Sequence, residues 1–93
     1  MGRRLGEYLR DLRHAKGLTT RQLGSMADCN CSFVTRLETG ERSPGLNLLW
    51  RIVKALGGDF GQGLYLLCLD SEVPEDVARD ATAWHPKEAS PKP

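Results

Sequence analysis

Apolar residues recur at helical spacing near the start of the chain. Leu5, Leu9 and Leu12 follow one another at i, i+4 and i+7, which places them on one face of a helix. Gly17 suits the end of that helix, because glycine readily adopts the left-handed conformation found after the last turn. The pattern predicts a first helix over residues 3–16.

Two short helices separated by a tight turn are predicted next. Thr19 and Gln22 have the spacing of a capping box, in which each side chain bonds the backbone amide of the other residue. Asn30 is a favoured N-cap for a second short helix, over residues 31–39 and closed by Gly40. The residues predicted to point inward from these two helices are Leu23, Met26, Ala27, Val34 and Leu37.

Beyond a loop at residues 41–45, the pattern is partly ambiguous. A fourth helical face, closed by Gly57-Gly58, is formed by Leu46, Leu49, Ile52, Val53 and Leu56. In the next segment, 60–69, Gly61 and Gly63 each cost a helix roughly 1 kcal/mol relative to alanine. The apolar run there also suits a strand. The helix is favoured, since Asp59 offers a cap and the preceding elements are helical.

The end of the chain predicts one more helix and a tail. Val73-Pro74-Glu75-Asp76 is typical of a helix start, with Pro74 at the first position and acidic residues in the first turn. This helix is expected to end near Trp84. Residues 85–93 contain three prolines and no apolar run, which predicts a disordered tail. The whole pattern predicts an all-α fold: a compact bundle of about five helices with an extra C-terminal helix.

Charge is divided unequally along a chain that forms one small domain. The 93 residues allow a single modest core. Residues 1–58 hold ten Lys/Arg and five Asp/Glu, giving +5, whereas residues 59–93 hold three and seven, giving −4. A polyanion is therefore the expected partner of the first part only. The longest apolar run, residues 64–69, is too short to span a bilayer, and no signal peptide is evident. We expect a cytoplasmic protein without a membrane partner.

Catalytic and metal chemistry is not indicated. The three cysteines are expected to be free thiols, and Cys29, Cys31, Cys68, His14 and His85 do not have the spacing of a zinc site. The sequence contains no glycine-rich phosphate loop, nucleophile elbow or H-E-x-x-H motif. We therefore expect no enzyme activity, no metal and no cofactor.

The two short helices carry the most specific motif. Residues 18–44 follow the pattern LTxxQLGxxAxCNxSxVTRLExGxRxP, which resembles the Cro/phage-repressor helix-turn-helix family. The resemblance extends over about residues 5–56, with the expected apolar positions filled. It implies a transcriptional regulator of the repressor kind that binds a palindromic operator in double-stranded DNA as a homodimer. In such proteins the second helix of the motif, here 31–39, lies in the major groove.

The resemblance also implies roles for individual residues. Base reading is expected from Cys31, Ser32, Thr35 and Arg36, although a phosphate contact is the alternative for Arg36. Phosphate contacts are expected from Thr20, Arg21, Thr39 and Arg42. Arg13 and Glu38 are expected to form an ion pair that ties the first helix to the end of the recognition helix. Gly24 stands where the family usually has alanine, at a close approach of the two helices.

Several features leave alternatives open. Cys31 and Phe33 depart from the polar residues usual in this family; Phe33 either packs under the helix or is available to a partner.

The expected divisions are residues 1–58 for DNA binding, 59–84 for a dimerisation extension and 85–93 for the tail. The dimer interface is expected at Leu64, Tyr65, Leu66 and Leu69, an apolar surplus that suits a partner. The alternative function is an antitoxin or accessory module, with a toxin or another regulator as its protein partner.

Overall fold

The computed structural model describes residues 3–84, and all the regular structure in this range is helical. Six helices follow one another: α1 Arg4–Ala15, α2 Thr20–Ala27, α3 Cys31–Thr39, α4 Leu46–Leu56, α5 Phe60–Asp70 and α6 Glu75–Thr82. The predicted all-α fold, with an extra C-terminal helix, is confirmed. None of the helices in this range has the length and apolar content needed to cross a bilayer. The predicted disorder of residues 85–93 lies outside the described residues.

One hydrophobic core joins the first four helices. Its buried members are Leu5, Leu9, Leu23, Ala27, Val34, Leu37, Leu49, Ile52, Val53 and Leu56. Helix α1 packs against α3, α4 and α5, and α2 packs against α3 and α4, whereas α6 packs against α5. Two predictions were wrong: Met26, predicted to point inward, is 54% exposed, and Leu46, predicted on the apolar face of α4, is 62% exposed. Met26 lies three residues after Leu23, at the edge of the apolar stripe, where α2 has turned away from the core.

Segment 60–69 is helical, which confirms the favoured alternative. The Asp59 carboxylate caps α5 by accepting bonds from the amides of Gly61 (2.8 Å) and Gln62 (3.3 Å). Gly63, which weakens this helix locally, also lets the helix approach α4. A Cβ built on Gly63 would lie 3.3 Å from Cγ2 of Val53, tighter than ordinary contact. Packing of α5 against α4 therefore offsets the low helix propensity of the segment.

The start of α6 differs from the prediction by one residue. Pro74 is the N-cap, with φ −56° and ψ 145°, and the helix begins at Glu75. The extended ψ places Pro74 outside the helix, although its ring restricts φ to a helical value. The first turn of α6 still carries the two acidic residues expected there, Glu75 and Asp76.

Candidate nucleic-acid interface

The first turn of α2 has free backbone donors. The Thr19 hydroxyl accepts a bond from the Gln22 amide at 3.0 Å, and the Gln22 side chain accepts one from the Thr19 amide at 2.8 Å, which confirms the capping box. Within the described residues this cap leaves the amides of Thr20 and Arg21 without a partner. The Arg21 side chain is exposed and that of Thr20 is half-buried. This end of α2 therefore presents two N–H groups, the positive helix dipole and a cation toward solvent.

The turn between α2 and α3 is tighter at Gly24 than the resemblance implied. A Cβ built on Gly24 would lie 2.7 Å from the Cys29 carbonyl oxygen and 3.3 Å from the Cys31 nitrogen. Because both contacts are to backbone, alanine does not fit here without a shift of the turn. Asp28 completes the turn with a left-handed φ of 58°. Glycine at position 24 thus fixes how closely α3 approaches α2.

Helix α3 begins at the predicted cap and separates an inner face from an outer face. The Asn30 side chain accepts a bond from the Ser32 amide at 2.8 Å. The inner face buries Val34, Leu37 and Glu38. Phe33 is half-buried against the core, so the first of its two alternatives holds.

The outer face of α3 brings the predicted base-reading residues together. Ser32, Thr35 and Arg36 are exposed, and Cys31 is half-buried beside them. Ser32 and Arg36 stand one turn apart, so their side chains extend from the same side of the helix. The Thr35 hydroxyl donates to the Cys31 carbonyl at 3.3 Å, so its oxygen remains free to accept a bond. The result is an exposed polar strip with one cation.

The end of α3 holds the two remaining predicted phosphate residues. The amides of Glu41 and Arg42 both donate to the Arg36 carbonyl, at 2.9 and 3.1 Å, which ties the loop to the helix. Gly40 makes this possible with a left-handed φ of 83°. The Arg42 side chain is exposed. The Thr39 hydroxyl donates to the Arg36 carbonyl at 3.2 Å and must rotate to donate to a phosphate.

Behind this face, a bidentate ion pair fixes α3 to α1. The Arg13 Nε donates to Glu38 Oε2 at 2.7 Å, and a second guanidinium nitrogen donates to Oε1 at 3.0 Å. The side chains are only 11% and 6% exposed. The hydrogen bonds to Glu38 raise the pKa of Arg13 above its ordinary value. A third bond, to the Leu18 carbonyl at 2.9 Å, also holds the turn before α2.

Sequence reasoning missed two residues that position this assembly. A Cβ on Gly6 would overlap the carbonyl groups of Leu37 and Glu38, so this glycine allows α1 to cross directly over the end of α3. The position of Gly6 as an isolated glycine within a helical pattern could have indicated a close packing contact. Asp70, at the end of α5, accepts bonds from the amides of Arg4 (3.2 Å) and Leu5 (3.0 Å) and so caps α1. No local pattern predicts such a cap across the chain.

The expected dimer residues are not equivalent in the structure. Tyr65 is 4% exposed, its hydroxyl donates to Glu75 at 2.9 Å, and its ring lies 4.8 Å from that of Trp84. Assigning Tyr65 to an intermolecular surface was therefore wrong, because α6 and the residues after it cover the ring. Leu64, Leu66 and Leu69 are half-buried and keep apolar surface facing solvent.

Possible metal ligands do not converge in the described part of the chain. Residues 3–84 contain no group of three His, Cys, Asp or Glu side chains placed to hold an ion. Cys29, Cys31 and Cys68 are free and half-buried. Burial raises the pKa of the Cys29 thiol, with Arg51 opposing the shift.

Comparison with known families agrees with this geometry. A family model described as a helix-turn-helix domain matches residues 4–61, more than half of the chain and all of α1 to α4. No match to the chain was found among curated proteins or among solved structures. On the extent of the family match, the chain belongs to the helix-turn-helix domain family.

Proposed function

We propose that this protein is a sequence-specific transcriptional regulator of the Cro/phage-repressor kind, which represses by occupying an operator in double-stranded DNA. The observation that carries the proposal is the exposed polar face of α3, bounded at one end by free amides of α2 and at the other by Arg42. A helix with this setting fits the major groove, while the flanking groups reach the phosphates on either side.

The base-reading residues are proposed to be those on the outer face of α3. Arg36 can bond O6 and N7 of a guanine together, and Ser32, one turn away, suits either a donor or an acceptor edge. Cys31 suits a thymine methyl group, and the Thr35 oxygen suits a base donor. The Arg13–Glu38 pair contributes indirectly, because it fixes the angle at which α3 leaves the core.

Phosphate contacts are proposed at the two ends of the motif. The amides of Thr20 and Arg21 lie at the positive end of α2, where an anion is favoured. At the other end, Thr39 and Arg42 flank the loop after α3. These groups position the protein on the duplex without reading its sequence.

We further propose that two copies bind a palindromic operator with half-sites about one helical turn apart. Residues 1–58 serve as the DNA-binding part and 59–84 as the part that contacts the second subunit. Leu64, Leu66 and Leu69 support this division, since they leave apolar surface on α5, away from α3. Light scattering on Leu69→Glu checks the contact. The variant is expected to self-associate more weakly than the wild type, and a wild-type monomer at high concentration would refute the homodimer.

The test of DNA binding begins with selection of bound duplexes from a random pool, followed by titrations of the enriched sequence. Arg36→Ala is expected to cost about 1–3 kcal/mol on this sequence and to relax preference at one base pair. Arg42→Ala is expected to weaken all duplexes nearly alike and to reduce the salt slope by about one unit.

Arg10→Ala is the matched control, because Arg10 is an exposed cation on α1 outside the α2–α3 surface. It is expected to bind as the wild type does. If no sequence is enriched and affinity is insensitive to salt, DNA is not the ligand. If Arg36→Ala weakens every duplex equally, Arg36 contacts a phosphate instead of a base.

A further inference from the structure

Three of the four large apolar side chains that remain exposed in residues 3–84 lie on α2 and α4. Met26, Leu46 and Trp50 are 54%, 62% and 48% exposed. Leu46 and Trp50 are four residues apart, so they lie on the same face of α4. Met26 and Trp50 line an open groove of about 560 Å³ between α2 and α4, together with Arg51, Lys54 and Ala55. We call this surface the α2–α4 groove.

The α2–α4 groove combines this apolar floor with two cations. The Lys54 ammonium lies 4.9 Å from the centroid of the Trp50 ring. The Nε of Arg51 is buried and has no hydrogen-bond acceptor in the described chain. Because Arg51 and Lys54 are both cationic, a carboxylate on the occupant would be attracted to this side of the groove. The groove therefore suits an occupant with apolar and acidic side chains side by side.

Helix α6 presents such a surface on the side that faces away from its own chain. Its inner side buries Ala78 and carries the pair between Glu75 and Arg79. The outer face of α6, as we call it, consists of Asp76, Val77, Asp80 and Ala81, all of which are exposed. Val77 is 49% exposed and lies one turn from Ala81, and the two aspartates are also one turn apart. The apolar and acidic residues thus form adjacent stripes.

We propose that the α2–α4 groove binds the outer face of α6 from a second copy of this chain. Val77 then covers Met26 and Trp50, while Asp76 and Asp80 face the cations of Arg51 and Lys54. This pairing accounts for the exposed apolar residues on both surfaces and matches opposite charges. It is a contact separate from the α5 leucines, and it does not depend on DNA binding.

Other occupants match the groove less well. A DNA phosphate would pair with Arg51 and Lys54 but would leave Met26, Leu46 and Trp50 uncovered. Residues 85–93 carry two lysines and one glutamate, so their side chains have a net positive charge, the same sign as the groove. An acidic amphipathic helix on a second copy meets both requirements.

A charge exchange tests the proposal by sedimentation velocity in the absence of DNA. Lys54→Glu alone and Asp76→Lys/Asp80→Lys alone are each expected to weaken self-association by roughly tenfold or more, because like charges then face each other. Combining the three changes is expected to restore most of the association. The control exchange, Arg10→Glu with Asp11→Lys, uses exposed residues of α1 and is expected to have no effect.

Trp50→Ala gives a second test that does not involve charge. It is expected to weaken self-association while the thermal unfolding curve stays close to that of the wild type, since the side chain is 48% exposed. The proposal is overturned if the wild type remains monomeric, if the charge reversals have no effect, or if their combination restores nothing. Weakened DNA binding by Lys54→Glu with unchanged self-association would assign the groove to phosphate instead. Because self-association is measured without DNA, its failure leaves the DNA-binding proposal standing.

Discussion

The buried pair between Arg13 and Glu38 allows a quantitative prediction. Arg13→Met removes the guanidinium but keeps an apolar stem of similar length. The Glu38 carboxylate, only 6% exposed, is then left without a hydrogen-bond partner in the described chain. An uncompensated buried charge of this kind costs about 3–5 kcal/mol of the free energy of unfolding. For a domain of this size, that corresponds to a loss of roughly 12 °C or more in the melting temperature.

Removing the opposite partner is expected to cost less. In Glu38→Gln the amide oxygen can still accept one bond from Arg13, and the guanidinium keeps its bond to the Leu18 carbonyl at 2.9 Å. The expected cost is about 1.5–3 kcal/mol, the range for a lost hydrogen bond to a charged group. This asymmetry, with Arg13→Met more damaging than Glu38→Gln, follows from which group keeps other partners.

Urea unfolding of the two variants, and of the double variant Arg13→Met/Glu38→Gln, measures these costs. The double variant contains no buried charge, so it is expected to be more stable than the sum of the single losses implies. Arg79→Ala is the control, because the Arg79–Glu75 pair has the same 2.7 Å separation but is 34% and 57% exposed. Its expected cost is much smaller, because solvent screens an exposed ion pair. The reasoning is refuted if Arg13→Met costs no more than Arg79→Ala, or if the double-mutant cycle is additive.

Three further predictions concern packing, capping and thiol reactivity. Gly6→Ala is expected to destabilise the fold by about 1–3 kcal/mol or more, because the added Cβ would meet the backbone of α3. The control Gly45→Ala places its Cβ in open space and should change stability by less than about 1 kcal/mol. Equal melting temperatures of the two variants would contradict this prediction. Asp70→Ala is expected to cost about 1–2 kcal/mol in urea unfolding by removing the cap of α1, and an unchanged midpoint would show the cap to be unimportant. Burial raises the pKa of the Cys29 thiol. The rate of Cys29 alkylation by iodoacetamide, followed by mass spectrometry, should therefore increase at a higher pH in the folded chain than in urea. Coincident pH profiles in the two conditions would contradict the raised pKa.

Local chemistry in the sequence determined most of the helix boundaries. The caps at Thr19 and Asn30 formed as predicted, because their partners lie two or three residues away and need no tertiary contact. The left-handed positions after α3 and α4 are occupied by glycines, which adopt a positive φ without strain. The outward-facing residues of α3 were also predictable, because helical spacing alone decides which residues of α3 face outward.

Only the tertiary structure decided what depends on contacts between distant segments. Segment 60–69 was ambiguous by propensity, and packing against α4 made it a helix. The sequence did not distinguish Tyr65 from the neighbouring leucines, whereas in the fold α6 and Trp84 cover its ring. Met26 lay at the edge of a helical stripe, where spacing cannot tell a buried side chain from an exposed one. Asp70 caps α1 although it lies 65 residues further along the chain than Leu5, and no local sequence pattern predicts that the two segments meet. Caps and outward faces are local properties that the sequence determines, whereas burial and long-range pairing arise only when the helices pack.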